Sequence, residues 1–293
     1  MKSKLFYILV LFSQLFYAQE KVYFSASGKV VKERQADYYR VLTKTDDNVW
    51  KMERFSMSGA LQTEGYALKK NGKEKVGEYK TYYASGELRE KRVFDSDVLM
   101  EFESYYKSAN LKRKSIYEHG DLVTLKDYYD SGQLKNDVLY SGEEQNRALK
   151  AKSYYESGAL KRDDQYLVQE GNNTKTYKLI KGVCFSEEGA AIPHTTFMRY
   201  PEFVGGKEVM NMYIKANFKQ PKKVKKQEIK GTVIVRFVVG KNGAIKRAKV
   251  IKSLSVDLDK EALRVVNNMP NWTPGMEYGE ITDMTFQLPM VLH

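Results

Sequence analysis

The chain has 293 residues, 42% of them hydrophobic and 13% aromatic, and carries a formal net charge of +12. With a mean hydropathy of −0.57, it is too apolar for a disordered chain and too polar for a multi-span membrane protein. Its one cysteine, Cys184, has no partner for an intrachain disulfide and says little about compartment.

Lys2 and Lys4 precede an apolar run, Leu5 to Phe16, broken only by Ser13 and Gln14, and Ala18 stands before Gln19. The run is shorter than the ~20 residues that span a bilayer. Residues 1–18 therefore read as a cleaved secretory signal, with an uncleaved inner-membrane anchor as the alternative.

Two composition regimes follow. Nineteen of the 22 tyrosines lie before residue 200, whereas all six prolines fall between 193 and 293. The boundary near residue 190 predicts two domains, 19–192 and 193–293.

The first regime repeats a phrase: aromatic-aromatic-x-Ser-Gly-x-Leu-basic. Its strong copies are "YYASGELRE" from Tyr82, "YYKSANLKR" from Tyr105, "YYDSGQLKN" from Tyr128 and "YYESGALKR" from Tyr154, with weaker copies from Tyr23, Arg54 and Cys184. Aromatic residues favour strands, Ser-Gly supplies a tight turn, and Leu opens the returning strand above a charged wet face. Each copy predicts a β-hairpin. A lone hairpin is marginal in water, so the copies stabilise one another by burying a shared stripe of Tyr, Phe and Leu. In the second strong copy Ala109-Asn110 replaces the usual glycine, and asparagine's tolerance of positive φ predicts a shifted turn. Residues 23–190 resemble the MORN-type hairpin repeats, particularly those of proteins labelled YwqK-family antitoxins. The resemblance implies an extended binding or spacer sheet. The tyrosines read as packing residues, with a ligand-binding aromatic face as the alternative.

In the second regime Val209, Met210, Tyr213, Ile214 and Phe218 follow helical spacing after Gly205-Gly206 and stop at Pro221. Residues 231–251 read as two strands joined at Lys241-Asn242-Gly243. Leu258, Ala262, Val265, Val266 and Met269 share a helical face, with Asp257 as the expected cap. A strand over Ile281–Leu288 buries Met284, Phe286 and Leu288 on one side. The predicted fold is an all-β antiparallel hairpin array followed by a small two-layer α+β domain in the order α-β-β-α-β.

"PEFVGG", "GTVIVRFVVGKNGAI", "LDKEALRVV" and "MPNWTPGMEYGE…FQLP" closely resemble the C-terminal domain of TonB-type energy transducers, over Pro201 to about Leu292. The resemblance implies a periplasmic domain that takes the Ton box of an outer-membrane receptor as an added strand, within energy-coupled transmembrane transport. The implied edge strand is Ile281, Thr282, Asp283, Met284, Thr285, Phe286, Gln287 and Leu288. Pro201, Glu202, Phe203, Gly205, Gly206, Trp272, Pro274 and Gly275 would form supporting loops. Two departures from the family stand out: the N-terminal segment has no histidine, and a hairpin array replaces the proline-rich spacer. The array is read as positioning or supplementing the terminal domain.

Between Lys219 and Lys252 stand 12 basic residues against one acid, Glu228. Lys222, Lys223, Lys225 and Lys226 form the densest patch, suited to an anionic membrane or glycan surface or to an acidic receptor segment. Nucleic acid is not an expected partner, because no nucleic-acid motif accompanies the patch. His119, His194 and His293 are scattered, no metal-ligand spacing occurs, and no nucleophile elbow or phosphate loop is present, so neither enzymatic activity nor a cofactor is expected. The expected function is a periplasmic, TonB-related protein that binds extended peptides of outer-membrane receptors or other envelope proteins. The alternative is a cell-envelope scaffold, or an antitoxin-like inhibitor, whose repeats bind glycan or protein.

Overall fold

The computed structural model describes residues 20–45, 48–142, 147–170, 175–219 and 231–292. The expected signal segment and Lys222, Lys223, Lys225 and Lys226 lie outside the described residues. The chain divides into two compact units, Met1–Ala190 and Ala191–His293.

In the first unit, strands follow one another in chain order: β1 (Glu20–Phe24), β2 (Tyr38–Lys44), β3 (Trp50–Ser56), β4 (Leu61–Ala67), β5 (Lys75–Tyr82), β6 (Leu88–Asp95), β7 (Val98–Tyr105), β8 (Leu111–Glu118), β9 (Asp121–Tyr128), β10 (Leu134–Ser141), β11 (Arg147–Tyr154), β12 (Leu160–Glu170) and β13 (Lys175–Phe185). Each pairs antiparallel with its chain neighbours, so the sheet order is the sequence order. The phrase occupies one set of turns. In the first strong copy Tyr82 ends β5, Leu88 opens β6, the Tyr83 N–H donates to the Glu87 carbonyl at 2.8 Å, and Gly86 sits at φ 102°. The opposite edge carries two-residue turns with positive φ at both positions, Ser96-Asp97 and His119-Gly120. Such turns match the twist of the strands they join.

The Ala109 turn is not shifted. Its N–H donates to the Tyr106 carbonyl at 3.1 Å, as Gly86 does to Tyr83 at 3.0 Å, and Ala109 itself takes φ 70°. Tyr106 and Asn110 close the same outer hydrogen bond as the other copies at 2.9 Å, and that register holds the alanine left-handed. An L-residue there costs ~1–2 kcal/mol, and glycine carries a backbone-entropy cost of ~0.5–1 kcal/mol. Ala109→Gly should therefore raise stability by about 0.5–1 kcal/mol in urea unfolding.

The second tyrosine of each phrase ties its copy to the next. The hydroxyls of Tyr83, Tyr106, Tyr129 and Tyr155 donate to the backbone carbonyls of Tyr105, Tyr128, Tyr154 and Phe185, at 2.8, 2.8, 2.9 and 2.9 Å. Lys112, Lys135 and Lys161, the basic residues that end their phrases, lie over the rings of Tyr106, Tyr129 and Tyr155 at 5.2–5.4 Å. The phrase tyrosines are half-buried rather than a buried stripe. Full burial is concentrated instead in β9–β12, at Leu125, Val138, Leu149, Ala151, Tyr166 and Val168, each at most 4% exposed, and Tyr38, Ala67 and Cys184 of other strands are as well covered. The hydroxyl explains the difference: a side chain that must reach the neighbouring turn's carbonyl cannot also point into the interior. Tyr106→Phe and Tyr129→Phe should each cost about 1 kcal/mol, the net worth of one hydrogen bond, in the same unfolding assay.

One row of directly opposed residues is charged through ten successive strands: Glu53, Glu64, Lys80, Lys91, Glu103, Lys114, Lys126, Asp137, Lys152 and Asp163. Six of its nine neighbouring pairs are of opposite sign, which stabilises the ladder, whereas Glu53–Glu64, Lys80–Lys91 and Lys114–Lys126 are alike and oppose it. Glu103 is the central member, bonded to Lys91 at 2.7 Å, Lys114 at 3.0 Å and the Tyr105 hydroxyl at 2.5 Å. Burial pushes its carboxyl towards the neutral form, but the hydrogen bonds from Lys91, Tyr105 and Lys114 outweigh this and hold its pKa down to about 2. A depressed folded-state pKa contributes stability above the ordinary glutamate value of 4.5, lost as pH falls towards 2. About 1–2 kcal/mol should disappear over that window after allowance for solvent screening at the lysines, and Glu103→Gln should abolish that part of the pH dependence.

The second unit opens with the two-residue strand β14 (Ala191–Ile192). Then come α1 (Gly206–Asn217), β15 (Gly231–Val239), β16 (Ile245–Lys252), α2 (Val256–Asn267), a ribbon of β17 (Met276–Glu277) and β18 (Glu280–Ile281), and β19 (Met284–Leu292). Val233, Val235, Phe237 and Val239 alternate along β15 and are fully buried. Leu258, Ala262, Val265 and Val266 of α2, Met210 of α1, and Leu288 and Met290 of β19 join them in one core. The α2 cap is Ser255, whose hydroxyl accepts from the Leu258 N–H at 3.3 Å; Asp257 instead lies in the first turn, where its charge suits the helix dipole.

Candidate functional site

In the three-stranded sheet of the second unit the order is β16–β15–β19. β15 is central. β19 pairs with it antiparallel from Val239↔Met284 to Gly231↔Leu292, and no other strand among the described residues lies against its far side.

The strand starts later than expected. Ile281 belongs to β18 and pairs with Met276, the Thr282 N–H donates to the Gly275 carbonyl at 3.1 Å, and the ladder begins at Met284. The cause is a tight turn at Tyr278-Gly279, where both residues have positive φ, 53° and 77°. Asp283 joins the two pieces. Its carboxylate accepts from the Lys241 N–H at 2.9 Å and lies 3.5 Å from Lys246 Nζ, and the Lys241 amide holds its pKa below the usual carboxylate range. The strand's origin is thereby fastened to the β15–β16 turn.

Alternation along β19 runs as expected. Leu288 and Met290 are buried, Phe286 is half-buried against the core, and Thr285, Gln287 and Pro289 face out. Pro289, opposite Ile234, has no N–H to give to β15. A proline is tolerated in a ladder where its nitrogen faces away from the partner strand. Backbone polar groups alternate in direction residue by residue, so Thr285 and Gln287 share Pro289's outward set and present N–H and C=O groups at the open edge. Pro289 blunts the far half of that edge.

The predicted loops lie beside it. Glu202 and Thr273 exchange two backbone hydrogen bonds, 3.1 and 2.8 Å. Gly205 and Gly206, at φ 90° and 81°, turn the chain into α1, and the Gly206 N–H donates to the Phe203 carbonyl at 2.7 Å. The Pro274 carbonyl accepts from Arg199 at 3.2 Å. A Cβ on Gly275 would press on the Met284 side chain, which would have to move aside, and would stand 3.1 Å from Pro201 Cδ, so Gly275 lies close against the strand's first residue. Trp272, 3% exposed, packs its ring against Phe203, Phe237 and Phe286 at 5.7, 5.4 and 4.9 Å.

A groove of about 370 Å³ runs between α1 and the edge of β19. Pro201, Glu202, Phe203 and Trp272 line it together with Lys207, Met210 and Asn211 of α1 and Phe286, Gln287, Leu288 and Pro289 of β19. The α1 wall was not anticipated from the sequence. Its one usable signal was the polar set Lys207 and Asn211, one turn apart beside Met210. An open backbone edge beside an apolar groove is an arrangement to which an extended chain can add as a further strand.

Residues 216–291 match the family model described as the Gram-negative bacterial TonB protein C-terminal. That match begins inside α1 and takes in β15 to β19. Residues 75–95, the hairpin of β5 and β6 with the phrase "YYASGELRE", match the MORN repeat variant. No curated protein matches the chain significantly.

Proposed function

We propose that this is a TonB-related envelope protein that captures extended peptides, such as Ton-box-like segments of outer-membrane receptors, by adding them as a further strand to the edge Met284–Leu288. The observation that carries this reading is the outward backbone set of Thr285 and Gln287 on a strand that, among the described residues, is paired on one side only, within the region that matches the TonB model. Backbone bonds tolerate varied peptide sequence, while alternate side chains tune the choice. A periplasmic location, reached through a cleaved signal, fits that partner. The hairpin array is proposed as a stapled spacer or platform for this domain.

The test is a titration of isotope-labelled protein with a synthetic Thr/Val-rich heptapeptide, read by amide chemical shifts. Shifts concentrated on Met284–Leu288 support strand addition. Shifts confined to the hairpin array or the basic run 219–227 would replace it with the scaffold reading.

A further inference from the structure

The tyrosine staple is missing from one turn of the hairpin array. In the weaker copy between β3 and β4, "RFSMSGAL" from Arg54, serine stands where the strong copies place their second tyrosine: Ser56 aligns with Tyr83, Tyr106, Tyr129 and Tyr155. By the geometry of the repeat, a tyrosine there would reach the Tyr82 carbonyl, as Tyr83 reaches that of Tyr105 and Tyr106 that of Tyr128, each at 2.8 Å. Serine is too short for that span. Its hydroxyl is engaged within its own turn, 2.7 Å from the Ser58 hydroxyl and accepting from the Ala60 N–H at 3.0 Å. Among the described residues no side chain donates to the Tyr82 carbonyl, while the Tyr82 hydroxyl turns to Glu64 at 2.5 Å. A cavity of about 390 Å³ lies between this turn and the next, with Ser56, Leu61 and Gln62 on one side and Tyr82, Tyr83 and Arg89 on the other. That volume is within the range of small-ligand pockets.

We propose that this notch is a binding site for a phenol ring, which lies where the strong copies hold their own tyrosine and donates its hydroxyl to the Tyr82 carbonyl. The chemical class follows from the molecule itself. Four times the same pair of turns encloses a tyrosine side chain whose hydroxyl meets the following carbonyl at 2.8–2.9 Å. Walls built to that pattern suit an aromatic ring, whose burial removes apolar surface from water. The open carbonyl favours a hydroxyl over a hydrogen at the para position. Arg89, 48% exposed and only loosely paired with Glu90 at 3.9 Å, adds a cation that an aromatic face attracts better than an aliphatic chain does. The site lies in the hairpin array and is independent of strand addition at β19.

The experiment titrates the full isotope-labelled chain with N-acetyl-tyrosinamide, N-acetyl-phenylalaninamide and p-cresol. Amide shifts should concentrate on Ser56–Gln62 and Tyr82–Arg89. The tyrosine amide should bind about three- to tenfold more tightly than the phenylalanine amide, the worth of one hydrogen bond. p-Cresol separates two sources of the ring: equal binding of p-cresol and the tyrosine amide points to a free phenol, and tighter binding of the amide to a tyrosine carried on a partner chain. Ser56→Tyr should fill the notch with the chain's own ring, raise the melting midpoint by about 2–4 °C and abolish binding of all three probes. If that variant fails to fold, the ratio of tyrosine to phenylalanine amide in the unaltered protein still decides. Equal binding of those two amides, absence of shifts at the two turns, or a folded Ser56→Tyr protein that binds the probes as the unaltered one does would each overturn the site.

Discussion

Replacing Gly243 with alanine is expected to destabilise the terminal unit by at least about 3 kcal/mol. Two penalties coincide at this residue. Its φ is +81°, a left-handed conformation that costs an L-residue ~1–2 kcal/mol. A Cβ there would also stand 2.0 Å from the Trp272 carbonyl oxygen. Backbone cannot swing aside as the end of a side chain can. The Gly243 carbonyl accepts from the Trp272 N–H at 2.9 Å, so relieving the clash breaks the contact that sets Trp272 in the core. Urea unfolding followed by tryptophan fluorescence gives the value. Asn242→Ala is the control for the same turn and should cost under about 1 kcal/mol, since Asn242 contributes only an exposed side-chain bond to Ala244 at 3.2 Å. A loss below about 1 kcal/mol for Gly243→Ala would mean that the β15–β16 turn does not brace Trp272 as described.

The second large effect concerns recognition. Thr285→Pro should weaken peptide capture by at least about tenfold, whereas Thr285→Ala should change it less than about twofold. Thr285 has the same parity as Pro289, so its N–H faces the open edge and not β15. Proline there removes an outward donor and places its ring where the incoming backbone must lie, while the ladder to β15 keeps its hydrogen bonds. Circular dichroism and thermal melting separate loss of binding from loss of fold. Equal binding by the proline and alanine variants would exclude the outer edge as the site.

Sequence and structure part company where geometry depends on more than local pattern. The phrase locates its own turns because Gly86, Gly132 and Gly158 occupy the left-handed position that only glycine takes cheaply. Alternation along β15 and the stripe on α2 likewise follow from the period of the element. Ala109 misled because local propensity pointed to asparagine, whereas the hydrogen bonds of the repeated turn hold the preceding residue left-handed. The tyrosine staples span 22 to 30 residues, and nothing local marks a hydroxyl as aimed at a carbonyl in the next copy. The ten-strand charge row depends on register at every pairing, including the shifts beside each phrase, such as Thr81/Tyr82 and Ser104/Tyr105. At the candidate site, the strand pattern and the TonB-like phrases located β19 and Trp272. The later start at Met284 came from the Tyr278-Gly279 turn, which hydrophobic alternation does not reveal. The groove joins α1, the loop at Trp272 and β19, three segments that only tertiary packing brings together.

Hydrogen exchange at single amides of β19 tests strand addition most directly. In the peptide-free protein, Phe286 and Leu288 should exchange slowly because they belong to the set bonded to β15, while Thr285 and Gln287 should exchange rapidly at the open edge. Addition of the Thr/Val-rich heptapeptide should slow Thr285 and Gln287 selectively, giving slow exchange at every amide from Thr285 to Leu288. Unchanged exchange at Thr285 and Gln287 under saturating peptide, with new protection in the hairpin array instead, would contradict strand capture at β19.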